Sequence, residues 1–433
     1  MLNECEFLNR VNERRAVVAI IGLGNTGLPV AQGCVDRGFP VRGIDIDAAK
    51  VDDLRSGRSY LSYLSDQEIQ TLMEDSFQAG TDFCAVAGAD VVIVCVPTPL
   101  GAHGDADLSS VYHAFDAIAP YANRGTLVIL QSTVPPGMTE ILATRLAATS
   151  GLTVGTDLFV AFAPERIDPA STTGWSVFTT PRVVGGITPA CTRRASAVLE
   201  ALCAKAVTVA DTQTAEVTKI VENTFRLVNI VLANEISDVC RDLGVSEREV
   251  VEAASTKPFA FLAHRPGPGI GGDCIPVAPA FLLAHARRSG IPMPIVTTAH
   301  HQINQRPHAV VARLTEILAR RGCQIDGSKV LVLGVAYKEN VNDTRNAPAA
   351  RIIERLLQLG ATVAYHDPLV PALTVGEHRL ESQRGEPAEL ACYDCAVLVT
   401  AHSEMLNRID PAPFPIVLDT RHVLRPEGNV EWL

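Results

Sequence analysis

The sequence predicts an α/β protein with two Rossmann-like parallel-sheet domains, joined by a central helical domain that contains one long helix. In the N-terminal half, short apolar runs alternate with helix-length segments, which is the pattern of βαβ units. A stretch of about thirty residues without proline or glycine follows Asp211. After Gly322 the α/β pattern starts again. The predicted domain boundaries are residues 1–205, 211–305 and 320–433.

The N-terminal strands are predicted from apolar runs at residues 16–23, 41–46, 91–97, 126–133 and 158–166. The long helix would extend roughly 45 Å, and Gly244 is a natural stop at its C-terminus. Its apolar residues nearly encircle it, which indicates burial on several sides. A helix of this length between two α/β regions indicates a central helical domain and a subunit interface. In the C-terminal domain, a strand at 329–337, a helix at 347–360 and a strand at 361–367 precede two further strands in CAVLVT and PIVLDT.

Composition excludes several classes of protein. Hydrophobic residues make up 47% of the 433 residues and charged residues 20%, as in a globular enzyme. The net charge is -11 with no basic run to offset it, so no nucleic-acid partner is expected. The polar N-terminus does not resemble a signal peptide, and the apolar runs are too short to span a bilayer. We therefore expect a cytoplasmic protein without a membrane partner.

The cysteine pattern suggests neither a metal site nor a disulfide framework. Eleven cysteines are scattered along the chain, and in the cytoplasm they should be thiols. The single CxxC, Cys392 to Cys395, has no second pair nearby and leads into a strand-like run. A structural role is favoured there, and no metal is predicted.

A dinucleotide site is predicted at the first strand. Gly22, Gly24 and Gly27 form GxGxxG directly after the strand and before a helix, where the pyrophosphate faces the helix N-terminus. Asp45 follows the next strand, and a carboxylate there binds ribose hydroxyls and repels a 2′-phosphate. NAD is therefore favoured over NADP. The second α/β region begins GVAYKEN without this motif, so we expect no second dinucleotide there. The region could instead hold the nucleotide half of a substrate.

The segment PGPGIGGDCIP at 266–276 suggests covalent chemistry. Its glycines leave the backbone open to a sugar or phosphate, and the thiol of Cys274 could add to an aldehyde. Loss of a hydride from the thiohemiacetal would give a thioester, which water hydrolyses to the acid. The alternative is a small buried hydrophobe. Glu216, Lys219 and Asn223 share one face of the long helix, and the last two could hydrogen-bond an oxyanion.

These motifs together resemble the UDP-glucose/GDP-mannose dehydrogenase family over nearly the whole chain. The resemblance includes GLGNTGLP, VCVPTP, QSTVPPG, FAPERIDP, PRVVGG, PGPGIGGDCIP, GVAYKENVNDTRNAP and YHDP. NIVLANE and KPFAFLAHRPGPG are most similar to the bacterial branch that acts on UDP-N-acetylglucosamine or UDP-N-acetylmannosamine. The resemblance implies NAD-dependent oxidation of C6 of a UDP-sugar to the uronic acid by a homodimer built on the long helix.

The resemblance also assigns roles to residues. Cys274 matches the nucleophile, Lys219 and Asn223 the pair that stabilises the oxyanion, Glu165 a carboxylate that assists thioester hydrolysis, and Thr133 a hydroxyl that orders the catalytic water. The residues implied to bind the cofactor are Gly22, Gly24, Gly27, Asp45, Thr98, Thr133 and Arg345. The residues implied to contact the substrate are Glu165, Lys219, Asn223, Gly269, Gly271, Gly272 and Lys338.

Two departures from the family pattern surround the cysteine. Asp273 stands where related bacterial enzymes often have histidine, and a carboxylate there would disfavour the thiolate. Ala278 stands where the family usually has an aspartate that takes part in proton transfer. Three outcomes follow: Asp273 takes over part of that role, oxidation is slow or stops at the aldehyde, or the protein binds UDP-sugar and NAD without turnover. A two-electron β-hydroxyacid dehydrogenase is a further reading, although such an enzyme would not need Cys274.

Overall fold

The computed structural model describes residues 4–101, 106–166, 174–383, 385 and 392–433. The chain forms two compact units. The first comprises Met1–Glu222 with Ala280–Ile291, and the second comprises Asn223–Pro279 with Pro292–Leu433.

The first unit is built on an eight-stranded sheet in the order β3-β2-β1-β4-β5-β6-β7-β8. Its strands are β1 Val18–Ile21, β2 Val41–Ile44, β3 Phe77–Gly80, β4 Val91–Val94, β5 Leu127–Leu130, β6 Phe159–Phe162, β7 Arg182–Gly186 and β8 Ala206–Thr208. Strands β1 to β6 are parallel, whereas β7 runs antiparallel to β6. The five strands predicted for this region are confirmed, each shorter than its apolar run.

Helices cover both faces of this sheet. They are α1 Glu4–Asn12, α2 Gly27–Asp36, α3 Ala48–Arg55, α4 Asp66–Glu74, α5 Ser109–Ile118, α6 Met138–Ser150 and α7 Pro189–Leu202, with short 3-10 turns at Phe83–Val86 and Ala119–Tyr121. Alternate strand residues enter two separate buried clusters, for example Ile20 and Ile93 in one and Ile21 and Val94 in the other. Burial on both faces explains why these strands read as continuous apolar runs.

The central helices include the predicted long one. They are α8 Thr212–Leu243, α9 Glu247–Ser255, α10 Ala278–Arg288 and α11 Pro294–Arg320. The chain leaves α8 at Gly244, whose φ of +69° is the left-handed conformation that glycine adopts without strain. Helix α11 extends past residue 305, where the predicted central domain ends, and contains Pro307 in its interior.

The second unit contains a five-stranded parallel sheet in the order β10-β9-β13-β14-β15. Its elements are β9 Lys329–Leu333, α12 Pro348–Gln358, β10 Thr362–His366, the hairpin β11 Ala372–Val375 and β12 His378–Glu381, β13 Cys395–Leu398, α13 Ser403–Leu406, β14 Val417–Asp419 and β15 Val430–Trp432. The predicted fold class is therefore confirmed. Among the described residues, no helix combines the length and apolar character that crossing a bilayer requires.

Candidate active site

The glycine turn after β1 has the geometry expected for a pyrophosphate. Gly22 has a φ of +88°, and a Cβ on Gly27 would lie 1.8 Å from the carbonyl oxygen of Gly22, so no larger residue fits there. A Cβ on Gly24, in contrast, would meet nothing within 4 Å. The first turn of α2 contains no acidic residue and no side chain caps it at Thr26. Open space at a helix N-terminus suits an anion.

Asp45 lies directly beside this turn. Its carboxylate is 7% exposed; Oδ2 accepts the backbone N–H of Leu23 at 2.8 Å and Oδ1 accepts that of Asp47 at 2.9 Å. Since each carboxylate oxygen can accept two hydrogen bonds, both oxygens keep capacity for ribose hydroxyls. The residues present therefore fit NAD.

Two tyrosines for which the sequence predicts no role also contact the glycine turn. Between α3 and α4, the Tyr60 hydroxyl donates to the carbonyl of Leu23 at 2.5 Å, and the Tyr63 hydroxyl donates to that of Asn25 at 3.1 Å. Together with Asp45, they fix the backbone of the turn from the side of β2. No motif marks them, because a tyrosine between two helices is equally compatible with a surface role.

We expect Tyr60→Phe to weaken NAD binding by about three- to tenfold, since it removes one hydrogen bond that holds the turn. Titration of protein fluorescence with NADH would measure the change in Kd. Tyr112→Phe is the matched control. Among the described residues, the Tyr112 hydroxyl hydrogen-bonds only the sulfur of Met138, at 3.7 Å, and it does not contact the glycine turn. Equal Kd values for wild type and Tyr60→Phe would contradict the assignment.

The loops after β4 and β5 are bonded to each other. The Thr98 hydroxyl donates to the carbonyl of Thr133 at 2.7 Å, and the Ser132 hydroxyl donates to that of Val96 at 2.7 Å. Both predicted threonines are buried. Because β4 and β5 are neighbouring parallel strands, their carboxyl ends bring these loops to the same edge as the glycine turn.

Lys219 and Glu165, which are far apart in sequence, come together. The Lys219 ammonium donates to the carbonyl of Glu165 at 2.7 Å. The Glu165 carboxylate lies 2.5 Å from the guanidinium of Arg182 and accepts the backbone N–H of Arg166 at 2.7 Å. Arg182 is 2% exposed. It belongs to the PRVVGG motif, for which the sequence predicts no role, and it is the counter-charge of Glu165.

Glu216 has a different role from the other polar residues on its face of α8. It is fully buried, and its carboxylate accepts hydrogen bonds from the N–H groups of Gly137 and Thr139 and from the Thr139 hydroxyl, at 2.5 to 2.8 Å. Burial raises the pKa of Glu216, although these hydrogen bonds oppose the shift. Glu216 therefore anchors the start of α6, which follows the loop that carries Thr133.

In the second unit, the predicted nucleophile is accessible. Cys274 is exposed, and all eleven cysteines, each within the described residues, are free thiols. Its carbonyl accepts the Asn223 carboxamide at 3.3 Å and the backbone N–H of Ala278 at 3.0 Å. The sequence predicted Asn223 for the oxyanion; the structure also places it against the backbone of the cysteine.

The glycines before Cys274 are explained by close packing of protein on protein. A Cβ on Gly271 would lie 2.5 Å from the Cβ of Tyr337, and one on Gly272 would lie 3.1 Å from its ring. Gly269 has a φ of +136° and faces Pro348 at 3.2 Å. The predicted contacts of these glycines with the sugar stay predictions.

Asp273 forms an ion pair with Arg345. The Arg345 guanidinium is paired with the carboxylates of Asp273 and Asp343, and the carbonyl of Arg345 accepts the Gly272 N–H at 2.8 Å. Burial raises the pKa of Asp273, and the positive charge of Arg345 opposes that shift. The expected harm from a bare carboxylate beside Cys274 is reduced by this pairing. Ala278, at the first position of α10, is fully buried.

The loop after β9 carries Lys338, which is partly buried. Asp367 directly follows β10 in this sheet, a position equivalent to that of Asp45 after β2 in the first sheet. Its carboxylate accepts five hydrogen bonds, from the N–H groups of residues 335, 336, 369 and 370 and from His402. Because its oxygens are fully engaged, Asp367 is unsuited to a ribose. That no second dinucleotide binds here stays a prediction, which the fully engaged carboxylate supports.

Comparison with known proteins identifies matching regions along the chain. Three domain models of the UDP-glucose/GDP-mannose dehydrogenase family match this chain. The NAD binding domain matches residues 16–207, the central domain residues 213–306 and the UDP binding domain residues 331–426. Among the described residues, no cluster of three or more His, Cys, Asp or Glu side chains could hold a metal ion.

Individual relatives extend over most of the chain. The UDP-N-acetyl-D-mannosamine dehydrogenase of Methanocaldococcus jannaschii is 30% identical, covering 95% of this chain and 93% of its own length. The NDP-N-acetyl-D-galactosaminuronic acid dehydrogenase of Ralstonia nicotianae is 32% identical, with coverages of 93% and 95%. The structure of the UDP-D-ManNAc dehydrogenase from Pyrococcus horikoshii superimposes with a TM-score of 0.86 at 29% identity, covering 96% of this chain and 98% of that one.

Proposed function

Because this chain belongs to the UDP-glucose/GDP-mannose dehydrogenase family, we propose that it oxidises C6 of a UDP-sugar to the uronic acid in two steps through a thioester on Cys274. The observation that carries the proposal is the exposed thiol of Cys274 on a rigidly packed glycine loop. The names of the relatives favour a UDP-N-acetylhexosamine as substrate, with UDP-glucose as the alternative.

The first oxidation converts the C6 alcohol to an aldehyde. The glycine turn and Asp45 would hold NAD, which would supply the hydride acceptor. We assign to Lys219 and Asn223 the donation of hydrogen bonds to the C6 oxygen as its proton leaves. Lys219 has three N–H donors and uses one on Glu165, and the Asn223 carboxamide has two and uses one on Cys274. Each keeps donors for the developing oxyanion.

The second oxidation requires the cysteine. The thiol of Cys274 adds across the aldehyde C=O, so that sulfur bonds C6 and the proton goes to the oxygen of the thiohemiacetal. Loss of that hydroxyl proton to solvent and of a hydride to a second equivalent of NAD would leave a thioester. Water then attacks the thioester carbon, the C–S bond breaks, and the acid leaves. We assign to Glu165 the removal of a proton from that water, which Thr133 orders. Arg182 keeps Glu165 oriented through their ion pair.

Counting NADH per sugar tests this proposal. Purified protein, NAD and a panel of UDP-sugars should give two NADH per sugar, followed at 340 nm, and a uronic acid identified by mass. One NADH with aldehyde accumulating would replace the proposal with truncated oxidation. Saturable UDP-sugar binding without NADH would indicate the binding protein that Ala278 suggests, and Ala278→Asp would then be the informative variant.

We also propose that the protein is a homodimer. Each chain is proposed to have the three predicted domains, residues 1–205, 211–305 and 320–433. Within one chain, α8 exposes an apolar face formed by Phe225, Leu232, Ile236, Val239 and Leu243, each 39 to 67% exposed. Their spacing places them on one side of the helix, and such a stripe is normally covered. Sedimentation should give twice the 46.3-kDa chain mass, and a monomeric mass would refute the dimer.

A further inference from the structure

A buried histidine links two loops of the second unit. His402 follows β13 and is 1% exposed. Its Nδ1 lies 2.9 Å from the backbone nitrogen of Asn340, and its Nε2 lies 3.0 Å from Asp367 Oδ2. A backbone N–H can only donate, so Nδ1 must accept. The imidazole therefore carries its proton on Nε2 and donates it to Asp367.

Asp367 gives this contact a rigid base. Besides His402, its carboxylate accepts N–H groups from Val335 and Ala336 after β9 and from Leu369 and Val370 after β10. Asp367 is 3% exposed. The hydrogen bonds from His402 and from the backbone lower the pKa of Asp367 although burial alone would raise it, so the acceptor stays ionised.

Asn340 is held in an unusual backbone conformation. Its φ is +60°, in the left-handed region that non-glycine residues seldom adopt. Its carboxamide donates to the Ser403 hydroxyl and accepts the Ser403 N–H, both at 2.9 Å. At the other end of the loop, the Thr400 hydroxyl donates to the carbonyl of Ala336 at 2.6 Å. Residues 400–403 thus hold the loop 336–340 at both ends, and Lys338 lies between them.

We propose that His402 is a positioning residue for the UDP-sugar, because it sets the conformation of the loop that carries Lys338. The inference rests on the proposed function, since it takes this loop as part of the UDP-sugar site. It is supported by the location of the loop at the carboxyl edge of β9, within the region that matches the UDP binding domain. A side chain that only filled this space would not need to be a histidine. A histidine is needed because its ring presents one donor and one acceptor on opposite sides.

Three variants at this position separate positioning from simple packing. His402→Asn retains an acceptor near the Nδ1 position, which the Asn340 N–H contacts. His402→Gln retains a donor near the Nε2 position, which faces Asp367, but has no acceptor near the Nδ1 position. His402→Leu retains neither. If His402 positions the loop, His402→Gln and His402→Leu should raise the Kd for UDP about tenfold or more. His402→Asn should stay within about threefold of wild type, and the Kd for NADH should not change in any of them.

The affinity for UDP would be measured by titration calorimetry, and each melting temperature by circular dichroism. His366→Asn is the matched control, since His366 lies in the same domain and bonds the carbonyl of Gln383 at 2.8 Å. Melting temperatures that fall while all UDP affinities remain equal would overturn the inference, as would equal losses in the Asn and Gln variants. UDP binding reports on the loop even if the wild-type protein shows no turnover. Absence of turnover with normal UDP binding would count against the proposed function but not against this inference. A wild type that does not bind UDP would overturn both.

Discussion

Replacing Cys274 by serine is expected to lower the rate of uronic acid formation by about 10³-fold or more while leaving NAD binding unchanged. Serine has nearly the size of cysteine, and Asn223 and Ala278 contact only the carbonyl of residue 274, so the loop should keep its shape. A neutral hydroxyl is a far weaker nucleophile than a thiolate, and loss of a catalytic nucleophile has effects of this order.

The measurement is the yield of acid by mass spectrometry together with NADH release in the first turnover. The first oxidation should persist, so one NADH per sugar is the expected limit. Cys323→Ser is a suitable control, because Cys323 is also an exposed thiol of the second unit. Acid formation by Cys274→Ser at the rate of wild type would eliminate the thioester mechanism.

Replacing Lys219 by methionine should reduce kcat by about 10²- to 10³-fold, the usual cost of losing one oxyanion donor. Methionine is unbranched and only one atom shorter than lysine, and the neighbouring Glu216 and Asn223 retain their own hydrogen bonds. The KM for the UDP-sugar should change little, because the interaction strengthens only as charge develops on the C6 oxygen.

Steady-state kinetics at saturating NAD would separate the two parameters. Lys205→Met is the control, because Lys205 is an exposed lysine of the first unit. A large rise in KM with unchanged kcat would instead mean that Lys219 only binds substrate, or that its bond to the carbonyl of Glu165 only maintains the fold.

Local patterns in the sequence were sufficient for the parts of the protein that depend on a few neighbouring residues. The glycine turn is an example, since a side chain at Gly27 would collide with the carbonyl of Gly22 five residues earlier. The ends of α8 follow in the same way from Gly244 and from the absence of proline and glycine within it. Strands β3 and β8 were not predicted, because they are the two edge strands and expose part of their residues, so no continuous apolar run marks them. Strand β7 is fully buried but was not predicted, because RVVGG contains only two apolar side chains.

The α/β class, the NAD turn, the long helix and the family could all be predicted before the structure was known, because each comes from a pattern of a few residues or from contiguous motifs. Which charged side chains pair with each other became known only from the folded chain. Asp273 reads as an unfavourable neighbour of Cys274 until Arg345, 72 residues later, is placed against it. Tyr60 and Arg182 likewise gain roles only from partners 37 and 17 residues away. Such pairings depend on how strands and loops are ordered in space, and a charge or hydroxyl in the sequence does not specify its partner.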